Sequence, residues 1–175
     1  FLTKEADGFR LRWFTPKVEV ALCGHATLAS AHVLFQEGLA QPNEIICFHT
    51  QSGVLTASRK GDEIELDFPL EPDAPIDPPA NLGKALGVPL KYVGKNRFDY
   101  LVEVETEATL RKITPDFRLL ATVTQRGVIV TSRSSEPRFA FVSRFFAPGV
   151  GIDEDPVTGS AHCCQITCTT PIVSC

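Results

Sequence analysis

An internal repeat constrains this chain more than any other feature of its sequence. The segment from Arg12 to Ala26, RWFTPKVEVALCGHA, and the segment from Arg144 to His162, RFFAPGVGIDEDPVTGSAH, follow one order of residue types. Each runs Arg, aromatic, Phe, small residue and Pro, then passes a valine and an aliphatic position, and closes on Gly, a polar residue and Ala. A match at this separation is too long-range for a solenoid. The repeat therefore predicts two similar half-domains.

The first copy leads into a predicted helix and sheet. An Ala- and Leu-rich segment begins at Gly24 and ends at Gly38, which stands where glycine favours helix termination. This helix has almost no polar face, so we expect other elements to enclose it. Segments 44–49, 53–59 and 63–68 read as strands joined by short turns, and the last alternates cleanly between apolar and charged residues. A curved antiparallel sheet around the helix is predicted.

Prolines mark a boundary after this sheet. Segment 69–80, PLEPDAPIDPPA, holds five prolines in twelve residues and cannot join a sheet interior. We therefore predict an N-terminal lobe at 1–68, a linker at 69–80 and a C-terminal lobe at 81–175. The fold class is α+β, with two pseudo-symmetric lobes, each a curved, mostly antiparallel sheet around a central helix. After Gly159 the repeat predicts a second central helix, whereas the Thr, Cys and Pro content of the tail disfavours one.

Composition narrows the functional class. The 175 residues carry a net charge of −4 and a pI near 5.6, which argues against nucleic-acid binding. No apolar run is long enough for a membrane helix and the start does not resemble a secretory signal, so we expect a cytoplasmic protein that acts on small molecules. The chain contains no Met, and Phe1 cannot be a translation start. A fragment truncated at both ends is the expectation.

The two glycine turns of the repeat are the candidate binding points. Gly24 and Gly159 each stand where a strand ends and a helix is expected to start. The first turn of a helix leaves backbone N–H groups without partners and carries partial positive charge, which suits a carboxylate or phosphate. A small anion held between two such turns is one interpretation. Helix capping without a ligand is the other, and spacing alone does not separate them.

Two side chains beside these turns could transfer or orient protons. His25 follows Gly24, and imidazole exchanges protons near neutral pH. Asp155 precedes Pro156 in an acidic turn, where crowded carboxylates raise one another's pKa in general. Taken singly, an Asp-rich turn is also a common structural feature. The other histidines (His32, His49 and His162) are assigned structural roles.

The sequence gives less support to catalysis by cysteine, to a metal site or to a bound cofactor. Cys23 could act as a base in a two-cysteine racemase, but the matching DPVTG turn has no cysteine, and a small buried residue is the other interpretation. Cysteines cluster in the tail at Cys163, Cys164, Cys168 and Cys175, with spacing that matches no usual zinc pattern. Neither a Gly-x-Gly-x-x-Gly motif nor a P-loop is present. We expect no metal and no cofactor.

The motifs RWFTP, ALCGHATLASAHVL and FFAPGVGIDEDPVTGSAH closely resemble the phenazine-biosynthesis isomerase-like family, over residues 1 to about 162. The resemblance implies the diaminopimelate-epimerase fold and a cofactor-independent isomerisation by proton shuttling, with dihydro-hydroxyanthranilic acid as the model substrate. It also implies that His25, Asp155 and Ser160 occupy site positions, while Gly24 and Gly159 supply backbone donors. The partner expected is a small-molecule carboxylate, and open sheets are compatible with a homodimer.

One departure from the family pattern limits this assignment. The main acid–base residue of the family is a Glu in an Asn/Ser-Glu-Thr-Ala-Phe motif, and the printed sequence starts at Phe1-Leu2 without it. We therefore expect these 175 residues alone to bind poorly or to be inactive. A catalytically silent scaffold or interaction protein of the same fold, and the racemase based on Cys23, stay open as alternatives.

Overall fold

The computed structural model describes residues 1–15 and 18–164. Contacts divide the chain into two compact units. The first contains Phe1–Leu70 and Val157–Cys163, and the second contains Glu71–Pro156 and continues from Cys164. The predicted bounds of the lobes and linker stay a prediction. Pro16, Cys168 and Cys175 lie outside the described residues.

The first unit combines a mixed sheet, a short hairpin and one long helix. Its elements are β1 (Leu2–Glu5), β2 (Gly8–Leu11), β3 (Trp13–Phe14), β4 (Glu19–Val20), α1 (Gly24–Gln36), β5 (Ile46–Thr50), β6 (Gly53–Lys60), β7 (Glu63–Asp67) and a 3₁₀ turn at Gly159–Cys163. The sheet order is β1-β2-β5-β6-β7, and β3 pairs with β4 as a separate hairpin. Among the described strands, only the β2–β5 neighbours of this sheet run parallel.

Helix α1 matches the predicted segment. Gly38, just beyond it, adopts a positive φ of 66°, which explains why glycine ends the helix there. Its Ala31, Leu34 and Phe35 are buried in the core of the unit. Leu28 and Val33, by contrast, are 42% and 50% exposed. Enclosure on all sides was expected, but within the described residues the packing covers one side of α1.

The second unit is built on a six-stranded mixed sheet. Its elements are β8 (Ala74–Pro75), α2 (Leu82–Leu86), β9 (Tyr92–Lys95), β10 (Asp99–Glu103), α3 (Glu107–Lys112), α4 (Phe117–Val123), β11 (Gly127–Arg133), β12 (Phe141–Ala147), a 3₁₀ turn at Pro148–Val150 and β13 (Ile152–Asp155). The order is β13-β12-β11-β10-β9-β8, in which β10 and β11 run parallel and the other neighbours antiparallel. Strand β8 lies at the sheet edge, where Pro75 can be accommodated.

Side-chain caps begin the helices of the second unit that follow β10. Thr106 Oγ1 accepts a hydrogen bond of 3.1 Å from the Thr109 amide at the start of α3. Asp116 Oδ1 accepts one of 3.0 Å from the Leu119 amide at the start of α4. Such caps replace partners that a helix N-terminus lacks. The strands and helices together confirm the predicted α+β class with mostly antiparallel sheets.

Candidate active site

The start of α1 forms one side of the candidate site. Cys23 is the N-cap residue, with extended backbone geometry and no side-chain hydrogen bond that would cap the helix. Gly24 is buried at the first helical position, and His25 is exposed beside it. The N–H groups of a first helical turn lack partners within their own helix. A helix start of this kind can accept an anion or a polar side chain.

The two repeat glycines meet in the first unit. A Cβ atom added to Gly24 would lie 2.9 Å from the Cα of Gly159, and one added to Gly159 would lie 3.1 Å from the Cα of Gly24. The contact at Gly24 is shorter than real Cβ atoms accept, the contact at Gly159 is tighter than most of them show, and the opposing atoms are backbone. Glycine is therefore required at Gly24 and favoured at Gly159. The start of α1 and the 3₁₀ turn after Val157 lie against each other without any side chain between their glycines.

His25 connects these two segments. Its Nδ1 lies 3.0 Å from the carbonyl oxygen of Val157. A carbonyl oxygen can only accept, so Nδ1 carries the hydrogen, and in the neutral ring Nε2 is left as the proton acceptor. The sequence predicted His25 as a titrating group at the helix start. The hydrogen bond to Val157, 132 residues away, orients its ring.

Ser160 and Asp155 complete the set of predicted residues. Ser160 is buried in the 3₁₀ turn that begins at Gly159. Asp155 is half-buried at the end of β13 and pairs with Phe145 of β12. The structure thus brings Gly24, His25 and the Gly159-Ser160 turn into one unit, whereas Asp155 belongs to the second unit.

Sequence reasoning missed two ion pairs, one in each copy of the repeat. Arg12 donates to both carboxylate oxygens of Glu19, at 2.9 and 2.8 Å. Arg144 does the same to Glu154, at 2.7 and 2.8 Å. Hydrogen bonding from Arg144 lowers the pKa of the Glu154 carboxyl. Both copies of the repeat begin with an arginine, which is the signal that the sequence offers for these ion pairs. The glutamate that each arginine binds cannot be identified until the pairing of the strands is known.

Another acidic cluster lies at the turn between β1 and β2. The ligand atoms of Glu5, Asp7 and His49 all lie within 4.8 Å of one another. Asp7 accepts from His49 Nε2 at 3.1 Å, and both acids are exposed. The hydrogen bond between His49 and Asp7 accounts for the closeness of these two side chains. No described helix has the length and apolar character required to cross a bilayer.

Comparison with known proteins identifies the relatives of this chain. The family model described as phenazine biosynthesis-like protein matches residues 1–166. An uncharacterized isomerase of Halalkalibacterium halodurans is 53% identical over 165 residues, which cover 94% of this chain and 62% of that protein. This chain belongs to the phenazine biosynthesis-like family. The confirmed resemblance was carried by the motifs around Arg12, Gly24 and Gly159.

Further members of the phenazine biosynthesis-like family agree with this assignment. The human phenazine biosynthesis-like domain-containing protein is 40% identical over 175 residues, covering 90% of this chain and 60% of its own length. A crystal structure of a PhzF family protein from Enterococcus faecalis matches with a TM-score of 0.82 and 41% identity, covering 95% of this chain and 63% of that one. The chain thus spans about 60% of the length of these relatives.

The fold extends to more distant proteins. The structure of a predicted epimerase from Pseudomonas aeruginosa superposes with a TM-score of 0.65 at 21% identity, and covers 93% of this chain and 62% of that one. At this identity the likeness concerns the fold alone. It agrees with the diaminopimelate-epimerase-like fold that the family resemblance implied.

Proposed function

We propose that this chain forms part of a cofactor-independent isomerase that moves a proton on a small carboxylate substrate. The observation that carries the proposal is the backbone contact between Gly24 and Gly159. The contact joins the matching turns of the two repeat copies. Because glycine has no side chain, neither residue fills the space beside these turns. The names of the relatives support isomerase chemistry in general, and the substrate class is our proposal.

Each predicted residue has a role in this scheme. The N–H groups at the start of α1 and of the 159–163 turn, with the Ser160 hydroxyl, would hold the substrate carboxylate. His25 Nε2 would accept or polarise a proton on the substrate, because Nδ1 is engaged by Val157. Asp155 would orient the substrate from β13. The proton itself would be moved between two carbons by the family glutamate, whose motif is not among the 175 printed residues.

A hybrid protein tests this proposal with the remaining parts supplied. This chain replaces the 165 matched residues of the Halalkalibacterium halodurans relative, and the product is incubated in D₂O with dihydro-hydroxyanthranilic acid and cyclic 2-amino-3-hydroxy acids. Proton NMR should show deuterium entering one ring carbon together with a shifted double bond. The unmodified relative is the positive control. A folded hybrid that leaves every candidate unexchanged, while the relative exchanges one, would contradict the proposal.

The two alternatives predict different outcomes in the same assay. A silent scaffold would bind a carboxylate without exchange, even in a correctly folded hybrid. A racemase that uses Cys23 would lose exchange in the Cys23→Ala variant, whereas our proposal predicts that this variant keeps at least about a third of the wild-type rate, because the glutamate moves the proton. Cys23 lies at the N-cap of α1, directly before Gly24, and for this reason the racemase is retained as an alternative.

A further inference from the structure

Three side chains that can bind metal ions converge in the first unit, and none of them belongs to the candidate active site. They are Glu5 on β1, Asp7 in the turn between β1 and β2, and His49 on β5. One ligand atom from each lies within 4.8 Å of the other two. The proposed isomerisation gives none of them a role.

The backbone holds these three elements close together. Glu5 pairs with Gly8 across the β1–β2 hairpin, and β2 lies parallel beside β5. A Cβ atom on Gly8 would lie 2.4 Å from the Cys47 carbonyl oxygen, so only glycine lets β2 approach β5 this closely. Asp7 directly precedes Gly8, and the close approach therefore brings it to β5. The pairing of the strands fixes the spacing of the group.

The imidazole of His49 distinguishes this group from a purely acidic surface. Its Nε2 lies 3.1 Å from Asp7 Oδ1. Two ligands on one zinc ion, each about 2.0–2.1 Å from it, lie about 3.3 Å apart in tetrahedral geometry. A zinc ion can therefore replace the proton between these two atoms with small movements of the side chains. Mg²⁺ and Ca²⁺ prefer oxygen ligands, whereas zinc binds imidazole and carboxylate together.

We propose that Glu5, Asp7 and His49 bind one zinc ion, with water completing its coordination. Both carboxylates supply negative charge, and the Asp7 side chain is 78% exposed, so an ion can reach the group from solvent. Arg10, which lies opposite His49 on β2, is the nearby cation that opposes binding. The ion would tie the β1–β2 hairpin to β5, between ligands 42 residues apart in the chain. This site does not depend on the proposed isomerase function.

A Zn²⁺ titration followed by amide NMR tests the site. We expect the amides of residues 5–8 and 48–50 to shift with one common dissociation constant. Following each amide separately distinguishes this group from the cysteines near the end of the chain, which can also bind zinc. His49→Ala should weaken binding at these amides by about tenfold or more. The matched control, His32→Ala on the exposed side of α1, should change it by less than about twofold.

Mg²⁺ and the variant Asp7→Asn complete the test. Zn²⁺ should bind at least about tenfold more tightly than Mg²⁺, because imidazole is one of the ligands. Asp7→Asn changes an exposed side chain, and it should weaken Zn²⁺ binding and abolish the slowing of hydrogen exchange that Zn²⁺ causes in β1. Equal affinities for Zn²⁺ and Mg²⁺, or unchanged Zn²⁺ binding in folded His49→Ala, would overturn the inference. Binding without slower exchange in β1 would overturn the role of the ion as a tie between the strands.

Discussion

Arg144 holds Glu154 through two parallel hydrogen bonds, Nε to Oε1 at 2.7 Å and Nη2 to Oε2 at 2.8 Å. Its guanidinium also lies 4.8 Å from the centre of the Phe146 ring, two residues along β12. Arg12 repeats both contacts in the first unit, with Glu19 and with the Phe14 ring at 5.0 Å. In both copies of the repeat an arginine thus lies over the aromatic ring two residues ahead of it and binds a glutamate on a later strand.

The two arginines should differ in their contribution to stability. Arg144 Nη1 also donates to the carbonyls of Leu110 and Ile113 at the end of α3, at 3.1 and 2.8 Å. Its side chain is 24% exposed, against 51% for Arg12. We expect Arg144→Ala to lower the free energy of unfolding by about 2 kcal/mol, because helix carbonyls and a carboxylate lose their donor. Urea denaturation should show a smaller loss for the matched Arg12→Ala; an equal loss would contradict this account.

The glycine contact predicts a steric penalty at Gly24. A methyl group there would meet the backbone of Gly159 at 2.9 Å and the Phe68 ring at 3.3 Å. Gly24→Ala should therefore destabilise the first unit by about 1–3 kcal/mol, despite the higher helix propensity of alanine. Thermal unfolding measures the change.

Gly83 in α2 is the matched control for this substitution. The nearest atom to a Cβ at Gly83 is 3.7 Å away, which is ordinary contact. Gly83→Ala should be neutral or stabilising by roughly 0.5–1 kcal/mol. If both alanine variants behaved alike, the close approach of Gly24 and Gly159 would not be present in solution.

The Glu107 carboxylate should make the free energy of unfolding depend on pH in the acidic range. Its carboxylate accepts from the Ser135 hydroxyl at 2.6 Å, the Ser135 amide at 2.7 Å and Arg111 Nε at 2.8 Å. These contacts, led by the Ser135 hydroxyl, lower the pKa of Glu107 from 4.5 to about 2. The resulting stability is complete above pH 4.5 and is lost as pH falls towards about 2.

The free energy of unfolding, measured between pH 7 and pH 2, should reveal this dependence on the Glu107 carboxylate. Glu107→Gln should be less stable than the wild type at pH 7, and the difference should shrink as pH falls below 4.5. The exposed Glu105 is a nearby control, and Glu105→Gln should show little change. A difference that stays constant with pH would rule out the carboxylate as its source.

Asp99 should change the free energy of unfolding with pH in the opposite direction from Glu107. It is 2% exposed, and burial raises its pKa from 3.8 to about 6, although Arg126 at 3.0 Å lowers it in part. The folded state therefore retains a proton that the unfolded state releases, and stability falls as pH rises from 3.8 to about 6. The loss amounts to about 3 kcal/mol at most. Asp99→Asn should lack this slope in urea titrations at pH 4 to 7, and an identical slope in both proteins would contradict the assignment.

Local patterns predicted the elements that carry the site. The Ala- and Leu-rich run closed by Gly38 predicted α1, and the alternation of Ile64, Leu66 and Phe68 predicted the inward face at β7, where all three pack on the core. The equivalent parts that the repeat assigns to Gly24 and Gly159 stay a prediction. The predictions of α1 and β7 succeeded because helix propensity, strand alternation and turn chemistry act over a few residues.

The remaining features depend on contacts between distant residues. Glu154 stands in the acidic turn of the second repeat copy, and only the antiparallel pairing of β12 with β13 shows that Arg144 reaches it. The bond from His25 to Val157 depends on tertiary packing that periodicity does not encode. At Gly159 the repeat favoured an α-helix and local propensity disfavoured one, and the described residues form a short 3₁₀ turn.

Solvent deuterium incorporation by site variants of the hybrid protein tests the central claim most directly. The hybrid is dialysed against a chelator, no nucleotide is added, and exchange is compared among His25→Ala, Asp155→Ala and the control His32→Ala on the exposed face of α1. We predict exchange in the unmutated hybrid and in His32→Ala, and a loss of about 100-fold or more in the other two. Full exchange in His25→Ala and Asp155→Ala would contradict the account.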